Sequence, residues 1–186
     1  MPAIDTSRIM ILATNGFEQS ELEVPLKKLG EHGAAVHVVS LSKDPIRGWK
    51  KTDWGDAVEV DRLIDDVTVA DYDAVVLPGG QINPDLLRVE EKVVSFIRAF
   101  ARSGKPLAAI CHAPWLLVEA GLLEGKKATS YHSIRTDVVN AGASWEDSET
   151  VVDGNLITAR KPDDLDAFVR AVVDMVENGA ETRAAA

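Results

Sequence analysis

The chain has 186 residues, 46% of them hydrophobic and 27% charged, proportions that exclude a disordered or collagen-like protein. A formal net charge of −10 argues against nucleic-acid binding, because phosphates would be repelled over most of the surface. Its one cysteine, Cys111, excludes an intrachain disulfide and a zinc site made from paired thiolates. We therefore expect a single domain over residues 1–186 in the cytosol, without a targeting or membrane segment.

The first half of the chain alternates short apolar runs with helical patterns. Residues 8–14 (RIMILAT) form an unbroken apolar run, which is typical of a strand buried on both faces. A helix is predicted over 21–29, interrupted early by Pro25, and a second strand over 35–41. Residues 48–61 are more polar and contain two tryptophans and a short alternation, so they predict a β-hairpin outside the main sheet.

The same alternation continues toward Cys111. A strand over 73–77 ends at Pro-Gly-Gly, a helix follows over 84–102, and a strand over 106–110 leads directly into Cys111. The segment WLLVEAGLL beyond it is predicted to be helical up to its glycine. This order predicts a mostly parallel sheet with helices packed against it.

The last third of the chain is predicted to complete the sheet and end in a helix. Its expected elements are a short strand over 128–131, a helix through Val138 and Val139, strands over 149–152 and 155–159 joined by Asp153-Gly154, and a helix from about Asp163. The core is expected to span about residues 8–176, with a frayed tail over 177–186.

Cys111 lies where ligands usually bind in such a fold, at the carboxyl end of a strand. A sharp turn into a helix would expose the thiol, and the helix N-terminus would favour the thiolate. We therefore predict a thiol pKa below the ordinary value and a nucleophilic role. The alternative is a buried, inert cysteine.

Two other strand ends could converge on the same cleft. Glu18 and Glu21 follow the first strand, and Gly79-Gly80 follows the third. A carboxyl group can accept a hydrogen bond from a thiol, and glycine N–H groups can line an oxyanion hole. Taken singly, the glutamates also fit a role as helix-start carboxylates and the glycines a plain turn.

Several motifs together resemble one family. LPGG, AICHAPWLL, KATSY, NAGASWED, VVDGNLITAR and PDDL, spread between about Arg8 and Val176, are similar to the ThiJ/PfpI family and most closely to its PfpI-type branch. The resemblance implies a flavodoxin-like sandwich with a cysteine nucleophile, related to class I glutamine amidotransferases. Members are described as intracellular cysteine peptidases, cofactor-independent glyoxalases acting on methylglyoxal, or deglycases of glycated proteins.

Matched position by position, the resemblance implies a set of site residues. The nucleophile falls on Cys111, its adjacent histidine on His112, and the carboxylate beside the thiol on Glu21, with Glu18 in the same motif. The backbone N–H groups of Gly80 and His112 would bind the oxyanion. No cofactor is implied.

In peptidase-like members, an acidic residue from a neighbouring subunit completes the site, and its match here is Asp85. Aspartate shortens the reach by one methylene relative to the glutamate of those members. The resemblance therefore implies a homodimer or higher homo-oligomer. The remaining histidines are scattered, so no metal site is expected.

These observations predict a cysteine-dependent hydrolase of stress protection. The Cys111 thiolate would add to the carbonyl of an aldehyde such as methylglyoxal, or react with its adduct on protein or peptide. One alternative is a peptidase with an intersubunit site. The other, of a different class, is a redox sensor or chaperone in which Cys111 is merely oxidised.

Overall fold

The computed structural model describes residues 2–179, in which strands and helices alternate along much of the chain. The strands are β1 (Arg8–Leu12), β2 (Ala35–Ser40), β3 (Ile46–Lys50), β4 (Asp53–Val58), β5 (Arg62–Leu63), β6 (Ala74–Leu77), β7 (Leu107–Ile110), β8 (Lys127–Ala128), β9 (Ser144–Trp145), β10 (Thr150–Asp153) and β11 (Leu156–Ala159). The helices are α1 (Gln19–Glu31), α2 (Ile82–Leu87), α3 (Glu91–Arg102), α4 (Pro114–Glu119), α5 (Arg135–Asn140) and α6 (Leu165–Asn178).

Seven strands form the central sheet, in the order β10-β11-β7-β6-β1-β2-β5. Every neighbouring pair is parallel except β10 and β11, which form an antiparallel hairpin. Both edge strands are short, since β5 has two residues and β10 has four. The Asp153 carboxylate of β10 also accepts a hydrogen bond from the Lys127 N–H of β8 (2.8 Å). The predicted, mostly parallel α/β sheet is confirmed.

Alternate residues of β1 enter two separate hydrophobic cores. Ile9 and Ile11 pack in the core that contains apolar residues of α1 and α6. Met10 and Leu12 pack in the core that contains those of α3, α4 and α5. All four side chains are fully buried, and each contributes about 1.5 to 3 kcal/mol through the hydrophobic effect. Helices on both faces of the sheet thus explain the unbroken apolar run in the sequence.

The predicted hairpin is confirmed as an antiparallel pair, β3 and β4, outside the central sheet. The rings of Trp49 and Trp54 meet edge-to-face across the hairpin, with their centroids 5.5 Å apart. The Trp49 N–H donates to the Phe17 carbonyl (2.6 Å), and Trp49 forms a β-bridge with Glu18. The hairpin is therefore fixed to the loop that follows β1.

Two helix predictions are wrong in detail. The helix expected over 84–102 is divided into α2 and α3, because Glu90 has an extended backbone and begins a new helix. A continuous helix would place Val89 on the same buried helix face as Val93, yet Val89 is 77% exposed. Pro25 does not interrupt α1, since its missing N–H removes one hydrogen bond while buried leucines hold both halves of the helix on the sheet.

The short strand expected over 128–131 is also shifted. The strand is β8, and it pairs in parallel with β9 in a separate sheet. The sequence pattern did not reveal β9. The frayed tail was expected from residue 177, whereas α6 continues to Asn178; residues 180–186 lie outside the described part of the chain. Within residues 2–179, no helix combines the length and apolar character needed to cross a membrane.

Candidate active site

Cys111 occupies a sharp turn between β7 and α4, as predicted. Its φ of +64° is left-handed, a conformation that costs a residue other than glycine about 1 to 3 kcal/mol. Backbone hydrogen bonds hold the turn, from the Cys111 N–H to the Ala159 carbonyl (3.0 Å) and from the Tyr131 N–H to the Cys111 carbonyl (2.8 Å). The strained turn lies at the carboxyl ends of the parallel strands, which is where this class of sheet binds ligands.

Glu21 is fully buried in the first turn of α1, beside the thiol. Its Oε2 accepts a hydrogen bond from the Gly79 N–H (2.8 Å), whereas the buried Oε1 has no conventional partner among residues 2–179. Burial, the larger cause, and the nearby charge of Glu18 together raise the pKa of this carboxyl to about 8. The thiol of Cys111 lies close enough to the carboxyl to affect its pKa. Glu21 can therefore carry a proton near neutral pH.

The expected low pKa of the Cys111 thiol is wrong. Cys111 is only 5% exposed, and this burial raises its pKa well above the ordinary value; the charge of Glu21 adds to the increase. Hydrogen bonds from the backbone N–H groups of Gly80 and His112 lower it. Protonation of Glu21 removes the repulsive charge, so the two groups titrate as a coupled pair.

His112 lies against both the thiol and an aromatic ring. Its Nδ1 is 3.1 Å from Cys111 Sγ, and its ring stacks on Tyr131 with centroids 4.8 Å apart. Burial lowers the imidazole pKa to about 4, and the charge of His132 contributes to this effect. His112 is therefore neutral at neutral pH and can accept a proton. Its Nε2 lies 3.2 Å from the Ser133 hydroxyl, which orients the ring.

Glu18 and Gly80 also belong to the site, in different ways. Glu18 is the N-cap of α1, where its Oε2 accepts a hydrogen bond from the Glu21 N–H (3.0 Å), as the helix-start alternative required. Gly80 has a φ of +77° and directs its N–H toward Cys111. The expected pair of oxyanion donors, Gly80 and His112, is thus placed at the sulfur atom.

Asp85 is not brought to the site. It lies on α2, where it is exposed, and does not line the cleft around Cys111. Within one chain, the position facing the outer nitrogen of His112 is occupied by Ser133 instead. The contact expected across a subunit interface stays a prediction.

Two positioning residues were missed by the sequence analysis. The buried Asn83 side chain accepts a hydrogen bond from the Thr14 N–H (2.7 Å) and donates one to the Pro78 carbonyl (2.8 Å), which ties the end of β1 to the end of β6. Ser133 orients His112. Only the proximity of Asn83 to the glycine turn could have indicated its role, and a serine shortly before a helix is too common to indicate one.

The cleft that contains Cys111 has a volume of about 350 Å³. Its walls include Glu18 and Glu21, and the β3–β4 hairpin contributes Trp49 and Lys51. A larger cavity of about 520 Å³ lies around Trp115, but the described residues that line it include no cysteine, serine or histidine. In residues 2–179, no group of three or more potential ligands could hold a metal ion. The smaller cleft is the candidate active site.

Gly79 is a close-approach position in this site, so its substitution should destabilise the protein. A methyl group added there would lie 2.6 Å from Glu21 Oε2 and 2.7 Å from Cys111 Cβ. We expect Gly79→Ala to lower the free energy of unfolding, measured in urea, by about 1 to 3 kcal/mol. In the control Gly30→Ala, the new methyl meets nothing within 4 Å, and alanine in a helix is favoured by about 0.5 to 1 kcal/mol. Equal losses in both variants would contradict this packing.

Comparisons with known proteins agree with the arrangement. The model of the DJ-1/PfpI family matches residues 7–175. Deglycase PfpI of Pyrococcus furiosus is 43% identical over 170 residues, which cover 91% of this chain and 99% of that protein. Protein/nucleic acid deglycase 2 of Escherichia coli is 41% identical over 172 residues, covering 92% and 98%. The crystal structure of Drosophila melanogaster DJ-1beta has a TM-score of 0.83 and 28% identity, covering 96% of this chain and 95% of that one.

Proposed function

The chain belongs to the DJ-1/PfpI family, and on that premise we propose that it is a cysteine-dependent deglycase acting on methylglyoxal adducts. The main support is the position of the Cys111 sulfur between the Glu21 carboxyl, the His112 imidazole and two backbone N–H groups. This set can supply a nucleophile, proton carriers and oxyanion donors in one cleft. We further expect a cytosolic location and no nucleic-acid partner.

The first chemical step would move one proton within the buried pair. In the fraction of molecules in which Glu21 is ionised, the thiol proton passes to Glu21, which leaves a thiolate beside a neutral carboxylic acid. Within the cleft the adduct releases its thiol or amine, which takes the hydroxyl proton, and the thiolate forms a bond to the resulting aldehyde carbon while the electron pair of the C=O bond moves to oxygen. The N–H groups of Gly80 and His112 would stabilise that oxyanion.

Neutral His112 would carry the later protons. With its pKa near 4, it accepts the C–H proton of that former aldehyde carbon only transiently and returns it to the neighbouring carbon, which leaves a lactoyl thioester on Cys111. Water then cleaves the thioester, and a proton returns to the thiol. In balance, an adduct of methylglyoxal with a thiol plus one water yields the free thiol and lactate. No redox partner is needed, because one carbon is oxidised while its neighbour is reduced.

The direct test separates adduct hydrolysis from conversion of free aldehyde. Lactate formation is measured at fixed total methylglyoxal while the concentration of N-acetylcysteine is raised. A deglycase rate rises with the concentration of the hemithioacetal. A rate that follows the falling concentration of free methylglyoxal would instead identify a glyoxalase.

Asp85 distinguishes the peptidase alternative from the deglycase. Because Asp85 is exposed on α2 and away from the cleft, Asp85→Asn should change kcat/KM on the hemithioacetal by less than about twofold. A peptidase site completed across an interface predicts a loss of about 10²-fold or more on a peptide substrate. Sedimentation of both proteins reports whether the expected homo-oligomer forms, and a large loss on the hemithioacetal would contradict the single-chain site.

A further inference from the structure

Lys51 is the single lysine or arginine among the described residues that line the Cys111 cleft. It lies at the tip of the β3–β4 hairpin and is exposed. Its neighbour Lys50 approaches Asp56 (3.9 Å), whereas Lys51 takes part in none of the ion pairs found among residues 2–179. An unpaired ammonium group therefore borders a cleft that is also lined by the carboxyl groups of Glu18 and Glu21.

The backbone at Lys51 is held in an unfavourable conformation. Its φ is +58°, a left-handed value that glycine or asparagine adopts at lower cost. The indole N–H of Trp49 donates to the Lys51 carbonyl (3.0 Å), which fixes the tip of the hairpin. Since Trp49 is itself bound to the Phe17 carbonyl, Lys51 has a defined place relative to the active site. The turn alone does not require a lysine.

We propose that Lys51 binds a carboxylate on the substrate, so that the enzyme selects adducts that carry a negative charge near the reacting carbon. A single ammonium without a second cation matches the single charge of a carboxylate. The protein has a net charge of −10 and two glutamates in the cleft, so an anionic substrate needs a local cation. This inference deepens the proposed function and rests on it.

Alkylation provides a test that does not depend on turnover. Iodoacetate and iodoacetamide differ in one negative charge, and each reacts when the Cys111 thiolate displaces iodide from carbon. Cys111 is the sole cysteine in the sequence, so the reaction reports on this site alone. Taking the ratio of the two rates cancels any change in the thiolate fraction.

We expect Lys51→Asn to lower the iodoacetate rate relative to the iodoacetamide rate about fivefold at low salt, and less at high salt. Asparagine tolerates the left-handed backbone, so the fold should be retained. Lys50→Asn is the matched control and should change the ratio by less than twofold. Lys51→Arg should keep the wild-type ratio, because it keeps the charge. Equal ratios in Lys51→Asn and the wild type, or a lost preference in Lys51→Arg, would overturn the proposal.

Turnover of two adducts that differ in charge provides a second test. The methylglyoxal adduct of N-acetylcysteine carries a carboxylate, and that of N-acetylcysteine amide does not. Lys51→Asn should reduce kcat/KM on the first adduct about fivefold and leave the second within twofold. A shifted alkylation ratio without turnover of either adduct would support charge selection by Lys51 and contradict the deglycase function. Turnover with an unchanged preference between the adducts would contradict Lys51 alone.

Discussion

Cys111→Ala should reduce lactate formation from the hemithioacetal to the rate in buffer, a loss on the order of 10⁴-fold or more. The variant lacks the sulfur atom that forms the covalent adduct in this mechanism, while its neighbours remain in place. The assay compares equal concentrations of variant and wild type. Cys111→Ser is the matched control, since its hydroxyl fills a similar volume but ionises far less readily than a thiol. It should be almost as inactive.

The same variants decide between an enzyme and a redox sensor. An enzyme consumes many equivalents of adduct for each Cys111, whereas a sensor shows only stoichiometric modification of the thiol. A chaperone would suppress the aggregation of a client protein without consuming the adduct. Turnover that persists in both variants would remove Cys111 from the mechanism altogether.

Glu21→Gln should lower kcat on the hemithioacetal by about 10²- to 10⁴-fold, the range found when a positioned acid or base is lost. Glutamine can still accept the Gly79 hydrogen bond, but it cannot take the proton of the thiol. Glu18→Gln is the control, because Glu18 serves as an N-cap through one oxygen that glutamine retains. Its loss should be below about tenfold. Equal losses in both variants would contradict a specific role for Glu21.

The raised pKa of Glu21 also predicts that the free energy of unfolding depends on pH. Its folded pKa of about 8 lies above the ordinary 4.5, so the folded protein binds this proton more tightly than the unfolded chain. The resulting stabilisation is full below about pH 4.5 and is lost as pH rises through 8. Glu21→Gln should remove this dependence and gain up to about 5 kcal/mol relative to wild type at high pH, since each tenfold change in proton affinity is worth about 1.4 kcal/mol. Parallel pH profiles of urea unfolding in the two proteins would contradict it.

The fold was largely predictable because its signals are local. The apolar run at β1 required helices on both faces of a parallel sheet, and Asp153-Gly154 marked the hairpin of β10 and β11. The division of α2 from α3 was missed because the sequence between them contains no glycine or proline. β9 was missed because two residues are too few for any periodic pattern.

The residues of the candidate site could be predicted from the sequence, but the shifts in their pKa values could not. The strand-turn-helix pattern located Cys111, and the family resemblance pointed to Glu21, His112 and Gly80. The shifts in pKa arise from burial beneath residues distant in sequence, so an argument from the adjacent helix had the wrong sign for the thiol. The Lys51 contribution depends on how the hairpin folds back on the loop after β1, which no local pattern reveals.

The short ends of the central sheet affect how the protein behaves at high concentration. A long exposed edge strand is a template for adding a strand from another molecule, and such pairing leads to aggregation. Here β5 offers two residues, and the Asp153 side chain of β10 is engaged by the β8 segment. Both edges are too short to favour growth of the sheet from chain to chain. Association between copies should therefore proceed through side chains on helices and loops, and single surface substitutions should be able to dissolve it without unfolding the sheet.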